Sequence, residues 1–271
     1  AETGATSLLG SPALVERLIE YCLANNKKLT GIRKVLTGGG SVVLSLLNSA
    51  SCVFPNARIV TVYGSSEAEP ICHQIHAQTS LLDQYIIKNG GGLLVGKPVD
   101  SVRLSIMPLA PDRRHPVSDK IQSLHSNYGI VCGEVVVSGD HVVKQYFKEI
   151  GDASNKIVMN GRIWHRTGDI GYLDDQGRLW IVGSKPGLKL DTSFSFAVEQ
   201  AVQEQYPGLR CAYVELDGKR VLFIEEGDLR EGIEVEIKTQ LAWLNLDQVI
   251  SMKKLPVDKR HNTKIVYSKL I

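Results

Sequence analysis

Four polar stretches carry residue types that chemistry needs, and they follow one another in a definite order. In the first, Thr37-Gly38-Gly39-Gly40-Ser41, glycines placed directly after a β-branched run let a flat ligand approach the backbone, although such runs also mark plain turns. The second is Tyr63-Gly64-Ser65-Ser66-Glu67. It offers a ring face for a purine, two hydroxyls for phosphate oxygens and a carboxylate that can hold Mg²⁺ through hard oxygen ligation. The same five residues also read as a strand end entering a capped helix, with Glu67 near the helix N-terminus. In the third, Trp164-His165-Arg166-Thr167-Gly168-Asp169, a turn carboxylate can accept both hydroxyls of a ribose, or simply close a turn. The fourth, Leu255 to Ile265, places Lys264 at the end of a basic loop. There its ammonium can offset charge developing on a carboxylate or phosphate, or remain solvated.

The elements expected to position these stretches change in character along the chain. Ser11-Pro12 predicts a helix start, and Leu14, Val15, Leu18, Ile19, Cys22 and Leu23 recur at helical spacing until Asn25-Asn26. A strand over Ile32–Leu36, a helix over Val42–Ala50 and a strand over Arg58–Val62 follow, which is the grammar of an α/β layer. Both glycine-rich stretches then fall at the carboxyl ends of strands, where such layers bind ligands. Short alternating strands fill residues 91–183, with a hairpin turn at Asp174-Asp175-Gln176-Gly177, and predict a small β-barrel or curled sheet. Pro108 to His125 is polar and basic and predicts a surface loop. Beyond Gly183-Ser184-Lys185-Pro186-Gly187, helices near 196–205 and 232–244 alternate with strands near 211–216, 220–224 and 248–252.

The expected fold is therefore α/β and α+β in three parts. Residues 1–90 form a partial α/β layer of a larger domain, 91–183 a small β-barrel subdomain, and 184–271 a compact α+β lid.

Bulk composition excludes several classes. The chain has 271 residues, 43% hydrophobic and 22% charged, as ordinary globular proteins do. A formal charge of +2 on dispersed Lys and Arg gives no footprint for nucleic acid. Five scattered cysteines without a C-x-x-C pair suggest neither a disulfide framework nor a thiolate zinc site. The neighbours Cys72, His73 and His76 lack a second ligand pair for a metal. No apolar run is long enough for a membrane span, and the first residues resemble no signal peptide, so a cytoplasmic protein is expected. Gly91 to Lys97 matches the phosphate-cradling G-x-x-x-x-G-K, but Pro98 stands where that loop needs a Ser or Thr hydroxyl.

Taken in order, the motifs resemble the adenylate-forming superfamily of acyl-CoA synthetases, fatty acyl-AMP ligases and adenylation domains. Its Y-G-x-T-E pattern corresponds to Tyr63–Glu67, V-G-x-P to Val95–Pro98, and G-E-[IVL]-x-V-x-G to Gly133–Gly139. The long pattern beginning W-x-x-T-G-D-x-G runs from Trp164 to Gly183 without a gap. The resemblance implies an ATP-dependent ligase that joins a carboxylic acid, with a fatty acid expected, to AMP. Cofactors would be ATP/AMP and Mg²⁺, with CoA or the phosphopantetheine of an acyl carrier protein as acceptor. Tyr63 would stack on adenine, Gly39 and Gly40 would line the adenine and acyl pocket, Ser66 would contact the α-phosphate, and Gly38, Gly64 and Ser65 would complete the nucleotide-binding set. Glu67 would ligate Mg²⁺, Asp169 would hold the ribose, Lys264 would be catalytic, and Lys185 would lie in the hinge of the lid.

The pattern is incomplete in three places. The family's phosphate loop and its half-domain are not within this sequence, so the N-terminal half becomes an expected partner and the chain alone is expected to adenylate poorly. Ser184 stands where the family hinge has an Arg that contacts ribose, and the stretch Leu188–Glu199 lacks the glycine that lets a pantetheine arm pass. Asn262-Thr263-Lys264 replaces Ser/Thr-Gly-Lys and resembles ligases of long hydrophobic acids, including β-lactone synthetases of olefin biosynthesis. A degenerate, non-catalytic member that binds nucleotide or a protein partner is the alternative.

Overall fold

Pro12 at the first turn and the Ser11 hydroxyl, which accepts from the Leu14 amide, start helix α1 (Pro12–Ala24) on its apolar stripe of Val15, Ile19 and Cys22. The computed structural model describes residues 4–109, 116–125, 130–185, 190–226, 232–258 and 264–270. Strand β1 (Ser7–Gly10) precedes α1, and β2 (Lys34–Gly38), α2 (Leu44–Val53) and β3 (Arg58–Ser65) follow it. These three strands are parallel, and α1 and α2 share a core with them built from Val15, Val35, Leu47 and Phe54.

The chain then reverses. β4 (Ala68–Ile75) pairs antiparallel with β3, so Ser66 and Glu67 form a two-residue turn and not the entry to a helix. β4 buries Ala68, Ile71, Cys72 and Gln74, and its pairing with β3 and β5 on either side outcompetes a helix there. Helix α3 (Leu81–Lys88), capped by a reciprocal Ser80–Asp83 box, leads to β5 (Leu93–Pro98) and β6 (Val102–Pro108). The G-x-x-x-x-G-K match thus lies largely in a strand.

Within the expected surface loop, residues 116–124 form helix α4 (Pro116–Leu124), with Val117 and Ile121 fully buried one turn apart. That i, i+4 pair was the signal beneath the polar composition. Residues 110–115 and 126–129, the Pro186-Gly187 part of the expected hinge and the 259–263 tip of the basic loop lie outside the described residues.

β7 (Gly133–Gly139), the short α5 (Asp152–Asn155), β8 (Lys156–Met159), β9 (Arg162–Leu173) and β10 (Leu179–Ser184) complete one ten-stranded sheet, ordered β1-β2-β3-β4-β5-β10-β9-β7-β6 with β8 against β9. The expected barrel is corrected: among the described residues the middle strands do not close on themselves. They have no need to, because β5 pairs with both β4 and β10 and so continues the α/β sheet. A second sheet, β11 (Leu190–Asp191), β12 (Cys211–Leu216), β13 (Lys219–Glu225) and β14 (Gln248–Met252), carries α6 (Ser195–Gln205) and α7 (Ile233–Gln240).

One apolar cluster joins the two sheets: Ile86, Tyr172, Trp180 and Val182 meet Val198, Tyr213, Leu222 and Ile237. Beside it, Arg178 donates to both Asp83 oxygens at 2.9 and 2.7 Å and to Asp174 at 2.8 Å, while Trp180 Nε1 donates to Asp174 at 2.9 Å. The guanidinium thereby ties the α3 N-terminus to the β9–β10 hairpin. Removing it strands two buried carboxylates, so Arg178→Met is expected to lose about 3–5 kcal/mol in urea unfolding. A loss below about 1 kcal/mol would mean that the pair behaves as a solvated surface bridge.

Candidate active site

The polar stretches converge because strand ends do. Gly38 lies on β2 where an added Cβ would sit 2.2 Å from the Val62 carbonyl oxygen, so only glycine lets β2 and β3 approach there. Gly39 follows with φ +77°, which turns the chain away from the sheet. Gly39, Gly40, Tyr63 and Gly64 then line a cavity of about 460 Å³, joined by Thr167, Gly168 and Asp169 from β9, Ser184 from β10, and Lys264.

The Tyr63 hydroxyl donates to Asp169 Oδ2 at 2.6 Å. The two residues sit on β3 and β9, four interstrand steps apart, about 19 Å in a flat sheet. The sheet must therefore curl for them to touch. The turn itself is built locally: Thr167 Oγ1 donates to the Val135 carbonyl and accepts from the Asp169 amide at 3.1 Å, and Gly168 takes φ +76°. Burial pushes the Asp169 carboxyl up, only partly offset by the Tyr63 bond and the Lys264 ammonium. Burial and the adjacent Asp169 push the Tyr63 hydroxyl well above its ordinary value, so it stays a donor.

Lys264 reaches the cavity from a β-bridge. Val257 pairs with Ile265, the Asp258 amide donates to the Lys264 carbonyl at 2.9 Å, and the Val266 amide donates to the Pro256 carbonyl at 2.9 Å. Lys185 does not line the cavity; its amide donates to the Gly168 carbonyl at 2.6 Å, which fastens the expected hinge to the Asp169 turn.

Ser65, Ser66 and Glu67 also stand outside the cavity lining, at the β3–β4 turn. Glu67 Oε1 accepts from the Tyr146 hydroxyl at 2.9 Å. Burial alone would raise this carboxyl, but bonds from Tyr146, its own backbone and Ser65, together with His165, hold it below the ordinary value. An ionised single carboxylate fits a Mg²⁺ ion that takes its remaining ligands from phosphate and water. Lys156 stands nearby, 4.9 Å from the Tyr146 ring centre and 3.3 Å from His165 Nδ1. In the Cys72–His76 segment, as elsewhere among the described residues, no three His, Cys, Asp or Glu side chains gather into a ligand group, and burial pushes the Cys72 thiol up to about 12.

Sequence reasoning missed the far wall. Helix α6 contributes Phe196, Glu199, Gln200 and Gln203, and Tyr267 closes beside them. The Glu204 carboxylate on α6 accepts from the Leu44 amide at 2.8 Å, capping a helix N-terminus 160 residues away in sequence. Glu199 is buried and accepts from the Tyr213 amide at 2.9 Å and the Tyr267 hydroxyl at 2.8 Å. The legible signal was a glutamate inside Ser195–Val202, where seven of the eight residues are buried.

A model of a family described as AMP-binding enzymes matches residues 1–147. A 2-succinylbenzoate–CoA ligase of Arabidopsis thaliana is 28% identical over 226 residues, covering 77% of this chain and 37% of the relative. An olefin β-lactone synthetase of Xanthomonas campestris is 26% identical over 293 residues, covering 98% and 50%. The chain thus spans half or less of the length of these curated relatives. Among solved structures, an amide bond synthetase of Marinactinospora thermotolerans superposes with TM-score 0.69 at 19% identity, over 99% of this chain and 53% of that one. An O-succinylbenzoate coenzyme A synthetase of Bacillus subtilis, solved with ATP and magnesium, gives 0.68 at 20% identity over 98% and 51%. These likenesses establish a shared fold.

Burial raises Glu199 from an ordinary 4.5 to about 8, against the Tyr213 and Tyr267 bonds that oppose the shift. Between those values the folded chain keeps a proton that the unfolded chain has released. The contribution of Glu199 to stability is therefore most favourable below the lower value. It falls by about 1.4 kcal/mol per pH unit as pH rises through the window, and levels above the upper one. The stability of Glu199→Gln relative to wild type is expected to improve steadily from pH 5 to pH 8 in urea unfolding. An unchanging difference would mean that Glu199 is ionised in the fold.

Proposed function

The chain belongs to the AMP-binding enzyme family, and we propose that it supplies the adenylate site and lid of an ATP-dependent acid-adenylating ligase. The observation that carries this reading is the convergence of Tyr63, Asp169 and Lys264 on one cavity. In the proposed reaction a substrate carboxylate oxygen attacks the α-phosphorus of ATP. Pyrophosphate departs with the electrons of the broken P–O bond, leaving acyl-AMP.

Asp169 would accept the ribose hydroxyls; because Tyr63 already uses Oδ2, the sugar either takes Oδ1 or displaces the phenol. The Lys264 ammonium would offset negative charge gathering between carboxylate and phosphate. Gly39, Gly40 and Gly64 would let the nucleotide lie against backbone. Mg²⁺ held by Glu67 would draw charge from the phosphates.

The aliphatic wall of Leu44, Leu47, Leu93, Leu94 and Ile181, with Phe196 of α6 also in the lining, supports a hydrophobic, fatty-type acid as substrate. The acceptor would be CoA or the phosphopantetheine of an acyl carrier protein. A partner half bearing the phosphate-gripping loop would complete the enzyme. A turn of the lid about Lys185 would have to separate α6 from α3 and β10, which now share a core.

A second reading, nucleotide binding without catalysis, is favoured by Lys156, whose charge already acts on Glu67 where a metal would act. Ser184 at the family's ribose-contacting Arg position favours it too.

Calorimetric titration with AMP tests the site: the wild-type chain is expected to bind and Asp169→Ala to lose at least about tenfold in affinity, the size of a lost charge-assisted bond. No binding at millimolar AMP would overturn the reading. Lys264→Ala is expected to keep AMP affinity but, once the chain is joined to a phosphate-loop half, to slow ATP–pyrophosphate exchange by about 10²–10³. Binding with no exchange in the completed wild type would select the non-catalytic reading.

A further inference from the structure

We infer that Glu199 and Tyr267 form a positioning pair that holds Lys264 over the acyl–phosphate end of the cavity. The inference rests on the adenylate reading of that cavity and adds residues to it.

Lys264 has no rigid element of its own. Upstream, among the described residues, the Val257–Ile265 bridge and its two flanking backbone bonds hold it to the segment before the basic loop. Downstream, the chain enters a single 3₁₀ turn, Tyr267–Lys269, too short to fix a direction alone. Tyr267 supplies the missing anchor. Its hydroxyl donates at 2.8 Å to Glu199 Oε1, which also accepts from the β12 backbone at Tyr213. Glu199 in turn sits on α6, the helix most completely packed between the two sheets. Ile265, Tyr267 and Leu270 pack on the core of the second sheet, and the side-chain bond from Tyr267 to Glu199, three residues from Lys264, adds a directional tie from that packing to α6.

The pair is in the right place to matter. Glu199, Tyr267, Lys264 and Asp169 all line the same cavity. The groups that face Glu199 from other elements are Tyr213 and Cys211 on β12 and Tyr267 itself; Ser195, on its own helix, also bonds Tyr267. No cation is among these partners, and burial keeps the carboxyl protonated up to about 8. A protonated carboxyl presents one carbonyl-like oxygen with two lone pairs, which is what the two bonds to Oε1 require. Glutamine copies that arrangement and alanine removes it.

The ligands that separate a positioning role from a scaffolding one are AMP and a non-hydrolysable acyl-sulfamoyl adenosine. AMP meets Asp169 and Tyr63, whereas the acyl mimic also places its linkage under Lys264. For the wild-type chain and for Tyr267→Phe, Glu199→Ala, Glu199→Gln, Lys264→Ala and Lys264→Ala/Tyr267→Phe, both affinities and amide hydrogen exchange over 255–267 are measured. Tyr267→Phe and Glu199→Ala are expected to weaken the mimic about tenfold, a fold-change of the size of one lost hydrogen bond, with AMP affinity unchanged. Both should also speed exchange over 255–267. Glu199→Gln should retain wild-type values, and Tyr267→Phe should cost nothing further once Lys264 is alanine.

Equal weakening of AMP and mimic, or an additive double variant, overturns the inference, since a general loss of packing would do either. If neither ligand binds the wild-type chain, the adenylate reading fails instead. Exchange then decides the anchor: faster exchange in Tyr267→Phe sustains it, and unchanged exchange overturns it.

Discussion

The curl of the large sheet is the constraint on which the site depends. Tyr63 and Asp169 belong to strands separated by β4, β5 and β10, and their 2.6 Å bond exists only because those strands wrap toward each other. Residues flanking the contact serve the same bend. An added Cβ at Gly96 would sit 1.9 Å from the His73 carbonyl oxygen, and at Gly171 2.4 Å from that of Trp180, so backbone lies close to backbone on strands between and beside the two residues. Right-handed twist accumulates across a sheet of this width in any case. The glycines let it deepen into a cup without closing into a barrel.

The cup is closed by an element from the other end of the chain. α6 packs on α3 and β10 with Ala197, Val198 and Val202, and the Glu204 carboxylate caps α2. Its inward face is unusual in placing Glu199, Gln200 and Gln203 toward a cavity whose opposite wall is aliphatic. Burying a carboxyl there is tolerable because it stays neutral and both bonds to Oε1 are made. The acidic groups around the cavity thus divide by environment. Asp169 is raised by burial but faces a tyrosine and a lysine, Glu199 is raised to about 8 with no cation among its described partners, and Glu67, more accessible and well bonded, is lowered.

Much of this was legible in the residues themselves. The cap and stripe of α1, the strand and helix flanking Gly38–Gly40, the Asp174–Gly177 hairpin and the order of elements after Leu190 follow local rules that tertiary packing did not override. The ordered motifs also pointed to the residues that meet in the cavity, because Tyr63, Thr167 and Asp169 sit in turns whose chemistry is encoded within a few residues. Errors arose where composition masked pattern. The polar stretch before His125 hid the i, i+4 pair Val117 and Ile121, and Glu67 suggested a helix start where pairing of Ala68–Ile75 with β3 and β5 decides for a strand.

What the sequence by itself determined was the identity of the chemical groups and the local turns that present them. Those depend on interactions within about ten residues, which side-chain type and spacing encode directly. Only the tertiary structure decided that the middle strands extend one sheet instead of closing, that Tyr63 and Asp169 touch, and that Glu199 holds Tyr267 beside Lys264. Each of these is a pairing beyond local range: 106 and 68 residues for the two side-chain pairs, and 26 for Cys72 with Pro98 where β5 continues the sheet. It is selected by which surfaces bury best together, a property of the assembled fold that no local pattern carries.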